Sequence, residues 1–218
     1  MMEVKRRYQS ALRARQAAET RAAVLTAARE LFLEQGYGAT TLEQVAARAG
    51  VSKPTVFTAV GNKQALLKTV RDVAMAGDDE PITVGHRPSV QLARDAGDAH
   101  SALEHITAHI TAIATRYAAL HEILRGAAAT GEPELRDLWL ASDQQRHEGA
   151  KIFVQILLDK GPLRSGLDAN LAADLLDHFM DPSGYRHFVH NRGWPAARYQ
   201  RWLAETLTEQ LLPGPHHL

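Results

Sequence analysis

Cysteine is absent from this chain of 218 residues, which excludes disulfides, thiolate metal sites and thiol redox sensing. Aromatic residues are scarce, at 6%. No apolar run approaches the length of a membrane span, and the longest, around Ile152 to Leu158, is interrupted by Gln155. The basic N-terminus has no apolar core behind it, so no secretion signal is expected and the chain reads as cytoplasmic. Chemistry-bearing motifs are also missing: there is no phosphate-binding glycine loop, no nucleophile elbow and no H-E-x-x-H. His105 with His109, and Asp174 with His178, each share a helix face. A metal site needs three or four ligands, and each of these offers two. Neither enzyme activity, cofactor nor metal is expected. Strand-like alternation is lacking while alanine is abundant, so the fold class is all-α.

What is present is concentrated near the front. From Thr20 to Gln35 the apolar residues Val24, Ala28, Leu31 and Phe32 form one stripe of an amphipathic helix, stopped by Gly36 and Gly38. Residues 40–67, TTLEQVAARAGVSKPTVFTAVGNKQALL, then spell a helix, a tight turn and a second short helix. Ala46, Gly50 and Val56 stand at A-x3-G-x5-V. Two helices crossing steeply need a small side chain at the crossing, a turn residue that tolerates positive φ, and an apolar plug from the second helix. Thr41 with Gln44 has the form of a capping box, and Ser52 can cap the second helix. The pattern predicts a helix-turn-helix, which sets a helix into the major groove of DNA.

The charges divide in the same place. The first 68 residues hold 11 basic and 5 acidic side chains, and the other 150 hold 14 and 20, within a net charge of zero. A basic front suits phosphate, and an acidic body is repelled by it. Lys5, Arg6, Arg7, Arg13, Arg15 and Arg21 lie ahead of or at the start of the first helix. They read either as a solvated tail or as an arm reaching the DNA backbone or minor groove.

The run AARELFLEQGYGATTLEQVAARAGVSKPTVFTAVGNKQALL resembles the N-terminal domain of the tetracycline-repressor (TetR) family of transcription regulators, over about fifty residues from Arg21. The resemblance implies DNA contacts from Arg21, Thr41, Arg48, Ser52, Lys53, Pro54, Thr55, Phe57, Thr58 and Lys63. The second helix departs from the family's usual pattern. Pro54 stands at the usual glycine, Phe57 at the usual tyrosine, and Thr58 and Ala59 replace residues more often large and polar.

Behind this region Asn62 can cap a helix from Lys63 to about Ala76, and the stretch from Gly77 through Pro88 reads as a loop. Helical patterns resume at Ala99 and run to about Leu120, then to Ala129. Others cover Pro133 to Lys160, Leu167 to Met180 and Pro195 to Leu212, with a short helix around Tyr185 to His190. The resemblance implies that the last two long helices pair with those of a second copy. That would make a homodimer, with Leu171, Leu175, Phe179, Tyr199, Leu203 and Leu207 at its interface. The same stripes also read as core within one chain. The resemblance further implies an effector pocket among Ile106, Ile110, Ile113, Tyr117, Leu124, Trp139 and Phe153, residues that by themselves read more readily as plain core. No charged cluster is visible among them, which points to an apolar or aromatic effector.

The expected organisation is a basic arm over 1–20, a three-helix DNA-binding domain over 21–68, and a helical effector-binding and dimerisation domain over 69–218. The expected function is that of a sequence-specific repressor, released from double-stranded operator DNA by a small molecule. A shift of the Lys63–Ala76 helix would carry the signal. A DNA-binding protein of the same kind without an effector is the alternative.

Overall fold

The computed structural model describes residues 2–80 and 84–214, with side chains from 12 to 80 and from 85 to 214. Among these residues there is no strand. Helix α1 (Met2–Ala39) loses its regularity at Gly36, whose φ of 80° and ψ of 170° turn the chain at the expected stop. Tyr37 folds back so that its ring lies 5.8 Å from that of Phe32. The start of α1 differs from the expectation of a separate arm, because residues 2–20 are the leading part of the same helix. Residues 12–19, LRARQAAE, are exposed and have no apolar stripe, but they are strong helix formers with no breaker among them. Arg15 supports the helix further by pairing with Glu19 one turn on, at 2.8 Å. The side chains of Lys5, Arg6 and Arg7 lie outside the described residues.

Helices α2 (Leu42–Ala49), α3 (Lys53–Val60) and α4 (Lys63–Ala76) follow. The body continues with a short 3-10 turn (Val84–His86), α5 (Pro88–Asp95), α6 (Ala99–Ala128) and α7 (Pro133–Leu158). It ends with α8 (Ala169–Met180), α9 (Pro182–Tyr185), a π-helical turn (Arg186–Asn191) and α10 (Ala196–Leu211). Helix α5 lies between the end of the expected loop at Pro88 and the helix expected from Ala99, where the sequence reading placed no element. Pro88 stands in its first turn, where a missing N–H costs nothing, and Val90 and Ala93 bury one side of it. The two patterns expected between Ala99 and Ala129 are one continuous helix.

The chain forms two units. The first comprises Met1–Val73 and Ile123–Arg136, the second Ala74–Glu122 and Asp137–Leu218. The sequence reading ended the DNA-binding domain at residue 68 and gave 123–136 to the body. Within the first unit, Val24, Ala28, Leu31 and Phe32 of α1 are buried together with Val45, Ala46, Val56, Leu66 and Leu67. The core of the second unit runs through α5 to α8 and α10, with Leu103, Ile106, Phe153, Leu176, Tyr199, Leu203 and Leu207 fully or almost fully buried. Each such side chain contributes about 1.5–3 kcal/mol.

Candidate nucleic-acid interface

The helix-turn-helix is held by local bonds that its sequence spells out. The Thr41 hydroxyl accepts from the Gln44 N–H at 3.2 Å, and the Gln44 side-chain oxygen accepts from the Thr41 N–H at 2.8 Å, closing the capping box. Gly50 takes the left-handed conformation, φ 68°, and its N–H and that of Val51 close the end of α2 on the carbonyls of Ala47 and Ala46. Ser52 then starts α3, its Oγ accepting from the Thr55 N–H at 3.3 Å, with Pro54 in the first turn. Val56 and Val60 face inward. The outer face of α3 presents Lys53, Pro54, Phe57 and Thr58 to solvent, with the Phe57 ring 60% exposed.

The hydroxyls on this helix are already oriented. Thr58 Oγ1 donates to the Pro54 carbonyl at 2.9 Å, which leaves its lone pairs and its methyl to face outward. Thr55 is half-buried, and its hydroxyl shares a 2.8 Å bond with Ser52. Lys53 meets Glu43 of α2, and this contact holds the Glu43 carboxyl below its ordinary range. Lys63 donates to the Gly38 carbonyl at 3.2 Å and lies over the Tyr37 ring at 4.2 Å. Burial pulls its pKa down. Burial, with the carboxylates of Glu132 and Glu134, pushes the Tyr37 phenol up to about 12.

Two of the ten expected contact residues are engaged with other parts of the domain, Arg21 half-buried and Arg48 still exposed. Arg21 donates to the Ala59 carbonyl at 2.7 Å, tying α1 to the end of α3. Arg48 pairs with both oxygens of Glu34, at 3.0 and 2.9 Å, and reaches Glu30 at 3.3 Å. These bonds raise its pKa and lower that of Glu34. Arg21 thus ties α1 to α3, and Arg48 ties α1 to α2. Their partners are 14 to 38 residues away in the chain, so no local pattern announces them.

In the second unit, the residues expected around an effector are packed against one another. Ile106, Ile110 and Phe153 belong to the core, and Leu124 is equally buried in the first unit. Tyr117 is buried, and Ile113 and Trp139 are half-buried. The buried His121 lies with its ring 5.5 Å from that of Tyr117 and 5.0 Å from that of Trp139. A depression of about 310 Å³ opens elsewhere, lined by Glu104 and Thr107 of α6 and Ala197, Gln200, Arg201 and Ala204 of α10. Three of the six residues expected at a dimer interface, Tyr199, Leu203 and Leu207, are fully or almost fully buried in their own chain. This corrects the expectation, because α10 turns that stripe into the core of the second unit. Leu171 remains 46% exposed, and Leu175 and Phe179 are half-buried.

A charged cluster that the sequence did not reveal lies at the end of α4. His109 of α6 shares a 2.7 Å bond with Ser89 of α5 and packs edge-on against Phe153 of α7. Burial, and then the nearby Arg116 and Arg87, lower its pKa to about 4. An unfolded chain returns it to about 6.5. The stability this neutral imidazole contributes is therefore complete above pH 6.5 and falls as pH drops toward 4, because the unfolded chain binds the extra proton. In His109→Gln the pH slope of unfolding free energy over that window is expected to shrink by nearly one proton. Denaturant titrations at several pH values check this, and an unchanged slope contradicts it.

The geometry defines a helix-turn-helix, with α2 and α3 as its two helices. Residues 24–70 match the family model of the bacterial regulatory proteins, tetR family. Over that stretch the chain carries the DNA-binding domain of that family of transcription regulators. It is 29% identical over 161 residues to YdeS of Bacillus subtilis (strain 168), described as an uncharacterized HTH-type transcriptional regulator, covering 72% of this chain and 74% of that one. Among solved structures it resembles a putative transcriptional regulator from Saccharomonospora viridis in complex with choline. There the TM-score is 0.66 at 18% identity, over 89% of this chain and 98% of the other. It also resembles FadR from Bacillus subtilis in complex with stearoyl-CoA, with a TM-score of 0.65 at 18% identity, over 85% and 96% of the two chains. Among the described residues no helix is long and apolar enough to cross a membrane, and no group of three or more His, Asp or Glu is arranged to hold a metal.

Proposed function

We propose that the protein is a repressor that binds a palindromic operator as a homodimer through α3 and leaves it when a small molecule occupies the second unit. The observation that carries the DNA-binding part is the outward face of α3, where an exposed phenyl ring and an oriented threonine flank a lysine. Phe57 and the Thr58 methyl suit van der Waals contact with thymine methyl groups. The Thr58 hydroxyl, its proton engaged with Pro54, accepts from adenine N6 or cytosine N4. Lys63 keeps two N–H groups beyond the one given to Gly38, and these serve a phosphate. The bound small molecules named for the two solved relatives, choline and stearoyl-CoA, support the effector part.

The test compares Thr58→Ala with Lys63→Ala on operator and scrambled DNA across a salt series. Thr58→Ala is expected to remove about 1 kcal/mol of discrimination between the two DNAs. Lys63→Ala is expected to weaken both about equally and to lower the salt slope by about one. Indistinguishable patterns from the two variants would overturn this division between reading and anchoring.

A further inference from the structure

The carbonyls that end a helix carry partial negative charge, and at the end of α4 an arginine from another helix answers them. Arg116 of α6 donates through Nε to the Ala74 carbonyl at 3.0 Å and through Nη2 to the Met75 carbonyl at 3.1 Å. Immediately beyond, Gly77 turns at φ 93° and runs close over the Arg116 guanidinium. Arg87, its side chain only 9% exposed, donates to Asp78 at 2.6 Å and to the Glu80 carbonyl at 3.3 Å. Both arginines act on the Asp78 carboxylate and hold it below its ordinary range, Arg87 through the direct bond and Arg116 through space. Burial, and then the nearby Arg87, lower the pKa of Arg116. Two guanidinium groups repelling each other at a partly desolvated point favour any additional anion.

Asp78 differs from the group it meets. Its side chain is 46% exposed, while the guanidinium behind it is almost closed off. An almost buried cation is therefore paired with a carboxylate that is itself open to solvent and to competing solutes. A planar guanidinium binds an external carboxylate with the same fork geometry that it uses for an aspartate.

We propose that Arg87 and Arg116 form a carboxylate-binding site, which takes an organic anion in the place that Asp78 holds. As the effector site of this regulator it rests on the effector reading given above, and it assigns the effector to the class of organic acids. Such an anion competes for Arg116 with the last carbonyls of α4, so occupancy alters the cap of that helix. Ser89 and His109 stand beside the pair as further hydrogen-bonding groups.

The experiment measures binding of acetate, benzoate and decanoate to the full chain by calorimetry at constant ionic strength, with benzamide and decanamide as uncharged controls. Operator release is followed separately by fluorescence anisotropy. Asp78→Asn removes the competing carboxylate and is expected to tighten carboxylate binding about tenfold, and Arg116→Gln to weaken it by a similar factor. Asp78 is exposed, so its variant stays informative even if an arginine variant unfolds. Absence of carboxylate binding in Asp78→Asn, or equal binding of the amides, overturns the site. If amides alone release the operator, the site fails and the effector reading stands. If carboxylates bind as expected without releasing it, the site stands and the effector reading fails.

Discussion

Phe32→Ala is expected to destabilise the DNA-binding unit by about 3–5 kcal/mol and to abolish operator binding, whereas Phe57→Ala leaves stability within about 0.5 kcal/mol and still weakens the operator complex. The two substitutions delete the same ring from the same small unit, and their consequences differ because of where the rings stand. Phe32 is fully buried on α1, with Tyr37 against it and α2 and α3 packed on the same helix. Its removal leaves a cavity among side chains that cannot collapse without moving the helices that aim α3. A unit of this size is stable by only about 5–10 kcal/mol, so the loss approaches the whole. Phe57 is 60% exposed, so little of its ring is buried to begin with. Thermal melts followed by circular dichroism, together with operator titrations, separate the cases. A destabilised Phe57→Ala, or a Phe32→Ala that binds operator normally, would refute the assignment of the two rings.

What the sequence made legible was local. The Thr41 and Gln44 box, the Ser52 cap, the Gly50 turn and the Asn62 cap of α4 all lie where the chain's own spacing put them, because each joins residues a few positions apart. Recognition of the family rested on that same stretch. Contacts between distant residues were not legible. Arg21 meets Ala59 across 38 positions, and Arg116 meets Ala74 across 42, so neither guanidinium could be placed by periodicity. The absence of an evident charged cluster in the body led to an apolar effector, yet folding brings Arg87, Arg116, His109 and Asp78 together from three separate segments. A stripe such as Leu203 and Leu207 states that a face is apolar and leaves open whose core it enters.

That ambiguity gives the second large effect. Leu207→Asp is expected to unfold the second unit, while Leu171→Asp combined with Leu175→Asp yields folded protein that sediments as a monomer and has lost the operator. Leu207 is fully buried among the core residues of its own chain, and an aspartate there has no partner charge. An uncompensated buried charge costs about 3–5 kcal/mol, enough to end folding. Leu171 is 46% exposed and Leu175 half-buried on α8, one turn apart on one side of the helix. An aspartate at Leu171 stays solvated in a single chain, and one at Leu175, which packs in part against the core, costs some stability without ending the fold. In a dimer packed through α8 the same four carboxylates face one another across the two-fold axis and oppose association. Operator affinity falls with them, since one short helix per chain makes too few phosphate and base contacts to hold DNA alone. Sedimentation velocity with circular dichroism reads both results. A folded Leu207→Asp protein would refute the core assignment. A full dimer of the Leu171 and Leu175 double variant would move the interface off α8.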